Sequence, residues 1–177
     1  MKKVGLSLLL IITLLSCVEV KFEEPQPHGV KQLDVIPENI QGSYLIGNSD
    51  TLKVYADSFV ILKESTKERT VHKLSEFFIL KKWKGSYFIN IRKPNDMYWT
   101  VVFITTDKDK KMAIGMLSFS DNNLDKIDAL GKITSVEIIK DEDGNVKNYI
   151  IKPTKRELKK IIKNSSFLDL GLLKKLD

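Results

Sequence analysis

The chain has 177 residues, with 29 Lys and Arg against 23 Asp and Glu and a formal net charge of +6. That length suits one domain built around one core. A single cysteine, Cys17, excludes a disulfide framework and a thiolate metal cluster, and the two scattered histidines, His28 and His72, have no metal-ligand spacing. At the start of the chain, Lys2 and Lys3 precede an apolar run from Val4 to Leu15 that ends in the small residue Ser16. A spanning helix needs roughly 17–25 apolar residues, so this run is too short to cross a bilayer and has the layout of an export signal.

Leu14-Leu15-Ser16-Cys17 resembles the lipobox of bacterial lipoprotein precursors, in which Leu and two further residues, the last of them small, precede a Cys. The resemblance implies acyl transfer to the Cys17 thiol, cleavage between Ser16 and Cys17, and no role for residues 1–16 in the mature protein. Each buried methylene of an acyl chain contributes about 0.8 kcal/mol, so two or three chains anchor firmly. The partner implied is a membrane, reached through covalent lipid. The localisation implied is the bacterial cell envelope; because Val18 is not the Asp that signals inner-membrane retention in enteric bacteria, the outer membrane is expected.

Residues 17–30 then read as the lipidated terminus and a flexible linker, because Pro25, Pro27 and Gly29 interrupt any helical or strand period. Residues 31–153 read as a β domain. Short runs of β-branched and aromatic residues alternate with polar turns: 43–46, 51–56, 58–64, 69–74, 77–83, 86–92, 97–105, 112–119, 133–140 and 147–152. Residues 86–92 alternate, with Tyr87, Ile89 and Ile91 facing in and Phe88, Asn90 and Arg92 facing out. Residues 97–105 are apolar enough to be covered on both faces. Leu124, Ile127 and Leu130 fall at helical spacing, giving a short helix near 121–130. Asp141 to Asn145 form a hairpin turn. The spacing predicts a mainly β fold, an antiparallel meander of about nine or ten short strands closed into a barrel, with a sandwich as the alternative. From about Thr154 a C-terminal helix is expected, since Thr154 and Glu157 have capping-box form. The whole of 154–177 reads as a basic amphipathic helical segment, lying either on an anionic membrane or against the barrel.

Without Lys2 and Lys3 the chain holds 27 basic and 23 acidic residues, and residues 154–177 alone hold seven basic and three acidic. Residues 17–153 are therefore neutral, and no nucleic-acid partner is expected from charge. No cofactor, metal or catalytic site is assigned. His72 has no nucleophile elbow, the Asp141–Asp143 cluster lacks the alternating ligands of a calcium loop, and the glycines form no phosphate-binding motif. The chain reads as a non-enzyme.

Aromatic residues cluster on the predicted strands. Tyr44, Tyr55, Tyr87, Trp99 and Phe103 could wall an apolar cavity, or could simply fill the core. Ile36 to Tyr44, a turn leading into Gly42-Ser43-Tyr44, resembles the first-strand motif of lipocalins, with Tyr44 where that family has Trp. The resemblance implies a barrel that holds a small apolar molecule. The other reading is an envelope interaction or assembly protein with a filled barrel, whose partner is another envelope protein.

Overall fold

In the computed structural model, described for residues 17–46, 49–106, 112–120, 124–164 and 168–176, the architecture follows from strands that are apolar on both faces. In chain order the strands are β1 Cys17–Phe22, β2 Gln32–Leu33, β3 Gly42–Ile46, β4 Asp50–Val54, β5 Ser58–Leu62, β6 Arg69–Lys73 and β7 Phe78–Trp83. They continue with β8 Ser86–Ile91, β9 Thr100–Thr106, β10 Met112–Ser120, β11 Val136–Lys140, β12 Val146–Ile151 and β13 Leu168–Leu176. Helix α1 spans Leu124–Gly131 and α2 spans Lys155–Lys163. The protein is mainly β. Ten strands form one curled antiparallel sheet, a half-barrel, in the order β2-β7-β8-β9-β10-β13-β3-β4-β5-β6.

Local chemistry explains the connections. Lys84 and Gly85 both take positive φ, 51° and 84°, which suits the twist of the two-residue β7–β8 hairpin. Asp141 holds the β11–β12 turn by accepting hydrogen bonds from the amides of Asp143 at 3.0 Å and Asn145 at 2.8 Å. The expected capping box forms: the Glu157 amide donates to the Thr154 hydroxyl at 3.3 Å, and the Thr154 amide donates to the Glu157 carboxylate at 2.8 Å.

Two cores lie on opposite faces of the central strands. Tyr44, Leu52, Phe59, Leu80, Tyr87, Ile89, Ile104, Met112 and Leu173 come from eight strands and pack together with Ile36 and Ile40. Residues from so many strands of one curled sheet meet only on its concave side. Phe88, Val101, Phe103, Leu117 and Phe119 leave the other face of β8, β9 and β10. They pack beneath a small second sheet, β1-β12-β11, and beneath Leu130 of α1 and Leu158 and Ile161 of α2. The expected two-sided cover of β9 is present, with Val101 and Phe103 in one core and Ile104 in the other.

Three expectations are corrected. Residues 17–30 are not a flexible linker: β1 pairs antiparallel with β10 and parallel with β12, and Val18, Val20 and Phe22 are buried. Alternation in Val-Glu-Val-Lys-Phe sends every second side chain into the core, which outweighs the prolines that follow. Residues 154–177 are not helical throughout. After α2 the sequence Leu-Asp-Leu-Gly-Leu-Leu forms β13, a strand inserted between β10 and β3, because its apolar residues alternate and Gly171 weakens a helix. Phe88 and Asn90 do not face solvent, because the second layer covers them. With β1, β2 and β13 added to the ten expected runs, the described residues hold thirteen strands.

Candidate functional site

Cys17 opens β1, with its backbone in register opposite Ser120 at the end of β10. Ser16 and the rest of residues 1–16 lie outside the described residues. Glu19 pairs with Asn148 of β12, and at the far end of β1 Phe22 and Trp99 exchange two backbone hydrogen bonds of 2.8 Å. The first described strand therefore begins at Cys17 itself.

The segment after β1 is fixed by buried polar side chains. Pro25 and Pro27 have no amide hydrogen, so a regular ladder is closed to this stretch. Asn90 takes the place of a strand: its Oδ1 accepts from the Gln26 amide at 2.5 Å, and its Nδ2 donates to the Gln26 carbonyl at 2.9 Å. The Lys81 ammonium donates to the carbonyls of Pro25 at 2.8 Å and Pro27 at 3.1 Å. Burial pushes the Lys81 pKa below its ordinary value; Glu24 opposes that shift and Lys155 adds to it. Lys152 binds Glu23 at 2.8 Å and Glu24 at 3.2 Å, while His28 contacts Glu24. The hydrogen bond from Lys152 holds the Glu24 carboxyl below its usual range, with His28 helping and burial opposing. Sequence reading missed Lys81 and Asn90. Their signal was a polar residue interrupting an apolar run, in Phe-Ile-Leu-Lys-Lys-Trp and in Ile-Asn-Ile, where one lysine must share a face with core residues.

The five aromatics expected to wall a cavity do not meet. Tyr44 and Tyr87 belong to the concave core, Trp99 and Phe103 to the convex core, and Tyr55 is 47 % exposed at the surface. The two concave tyrosines hold a plug. The Tyr44 hydroxyl donates to the Ile40 carbonyl at 3.0 Å, and the Tyr87 hydroxyl donates to the Asn39 Oδ1 at 2.9 Å. Both secure the single 3-10 turn Glu38–Ile40, which sets the fully buried Ile36 and Ile40 into the hollow of the half-barrel. Burial pushes the Tyr44 pKa above its ordinary value. Elsewhere, the His72 ring stacks on Phe78 with centroids 5.2 Å apart, at the place where β6 approaches β7. Asp141 spends its carboxylate on its own turn.

Comparison with protein-family models, curated proteins and solved structures gives no match. The functional reading therefore rests on the chain's own residues.

Proposed function

We propose that the chain is a lipid-anchored domain of the bacterial cell envelope, working as a non-enzymatic interaction module with a filled half-barrel. The anchor is supported by Leu14-Leu15-Ser16-Cys17, the short export signal before it and the absence of any second cysteine. The observation that carries the filled-barrel reading is the plug: Ile36 and Ile40 occupy the hollow, pinned by the hydroxyls of Tyr44 and Tyr87. A ligand-holding barrel keeps an apolar space of several hundred Å³ for its guest, and here the chain's own side chains stand in that place. Because β1 begins at Cys17, the acylated residue would hold the domain directly at the bilayer surface.

The test is expression of the full chain in a bacterial host, detergent extraction, and mass spectrometry of the N-terminal peptide and of co-purified molecules. The expected result is an acylated Cys17, loss of acylation and of membrane association in Cys17→Ala, and envelope proteins but no stoichiometric apolar small molecule in the extract. Acyl chains that persist in Cys17→Ala would overturn the anchor, and a stoichiometric apolar guest would overturn the filled interior.

A further inference from the structure

The outer face of the small sheet carries an open recess, in whose lining Lys93, Asn95 and Lys147 are exposed to solvent. The loop after β8 folds over β1 and β12, held by an ion pair between Lys21 Nζ and Asp96 at 2.5 Å, with side chains 15 % and 24 % exposed. Between loop and sheet lies a cleft of about 340 Å³. Lys21, Lys93 and Lys147 line it, together with the amides of Asn95 and Asn148. Asp96 is its one carboxylate, so the lining carries an excess of two positive charges. That excess sits in a part of the chain, residues 17–153, whose net charge is zero. It is a local concentration and not a share of general basicity.

Among the described residues, neither Lys93 nor Lys147 forms an ion pair within 4 Å, though Lys93 is near enough to Asp96 to help lower its pKa, and the side chains of Asn95 and Asn148 make no hydrogen bond within the protein. Ammonium groups are compact donors that suit a phosphoryl oxygen from several directions, and amides add neutral donors beside them. The ring of Tyr98 and the side chain of Ile139 give the recess an apolar wall, and its volume exceeds what a bare oxyanion fills. From this arrangement we infer that the cleft is a binding site for a phosphate ester carried on a small polar body, with Lys93 and Lys147 as its principal charges. Lys21 serves as a wall group whose charge is partly offset by Asp96.

Two sources carry that chemistry: a soluble phosphate ester, or the headgroup of an anionic phospholipid. Lys21 lies four residues along β1 from Cys17, about 13 Å at the usual rise of a strand. The headgroup source rests on the proposed anchor; the site itself does not.

The experiment uses the full chain purified in a neutral detergent. Glycerol 3-phosphate and inorganic phosphate are titrated by calorimetry, and the protein is separately offered to phosphatidylcholine vesicles with and without phosphatidylglycerol. Saturable binding of glycerol 3-phosphate is expected, weakened about ten-fold or more in the double variant Lys93→Ala, Lys147→Ala. Asp96→Asn removes the opposing carboxylate and is expected to tighten binding, an effect that a merely structural role does not produce. Preference for phosphatidylglycerol vesicles that the double variant loses assigns the headgroup source; binding of glycerol 3-phosphate with no such preference assigns the soluble one. Absence of saturable binding to both probes, or binding unchanged in the double variant, overturns the site. Either result stands apart from the anchor, which is read from the acylation of Cys17.

Discussion

Phe22 and Trp99 exchange two backbone hydrogen bonds of 2.8 Å, and both side chains lie in the same core. This bridge ties the end of β1 to the entrance of β9 and makes the N-terminal strand part of the domain's interior. Phe22 is fully buried, so Phe22→Ala removes a large side chain from a site closed on all sides. The expected loss is about 3–5 kcal/mol, read as a lowered midpoint in urea unfolding. A change within a few tenths of a kcal/mol would mean that β1 is dispensable to the fold.

The second prediction concerns the amide that stands in for a strand. Asn90→Leu keeps the branched outline and heavy-atom count of the side chain but leaves the Gln26 amide and carbonyl without partners in a buried place. A cost of about 1–3 kcal/mol is expected. Hydrogen exchange at Gln26 should speed up by more than that of amides in β9, because the loss is local before it is global. Equal acceleration in both places would contradict the pinning role.

Acid titration of the Lys21–Asp96 pair is the third. Burial raises the Asp96 carboxyl, but the hydrogen bond from Lys21, the amide of Tyr98 and nearby Lys93 outweigh it and hold the pKa below its ordinary value of 3.8. Between the lowered folded value and 3.8 the unfolded chain binds more protons, so stability rises with pH across that window. The contribution is present above about pH 4 and is lost as pH falls through the folded value. Wild type should exceed Asp96→Asn by up to about 1 kcal/mol at neutral pH, and the two should converge in strong acid. A constant gap at all pH values would place the effect of Asp96 elsewhere.

Two glycines should respond with opposite signs. Gly85 has φ of 84° in the β7–β8 turn, and a Cβ there meets nothing within 4 Å, so Gly85→Ala suffers only the left-handed backbone and should destabilise by about 1 kcal/mol. Gly171 lies inside β13 at ordinary φ, and a Cβ there makes normal contact with Ile114 at 3.8 Å. Gly171→Ala should therefore stabilise by roughly 0.4–1 kcal/mol, since it narrows the unfolded ensemble. Thermal unfolding of both variants checks the pair, and a destabilised Gly171→Ala would argue against its place as an open strand position.

The sequence was legible where one physical signal acted alone. The strands from β3 to β12, the α1 spacing and the Thr154–Glu157 cap were readable because alternation, helical period and capping are local. The second layer was not, because nothing in Tyr-Phe-Ile-Asn-Ile tells whether Phe88 and Asn90 meet water or another sheet. Prolines 25 and 27 dominated the reading of their neighbours and masked the alternation in β1. For β13, the capped helix and basic residues that precede it did the same. Of the candidate site, the expectation for Cys17 rests on its flanking residues alone. The recess at Lys21, Lys93 and Lys147 was not, because it joins positions up to 126 residues apart that only the β1–β12 pairing brings together.

The position of β13 bears on how the protein can be made. It forms the link between β10 and β3, so two antiparallel meanders, β3 to β6 and β7 to β10, remain separate until the last described strand arrives. A chain emerging from its N-terminus can pair each meander locally, but the continuous sheet waits for residues 168–176. Such a fold completes its main sheet only after residues 168–176 have been delivered, well after both meanders can pair.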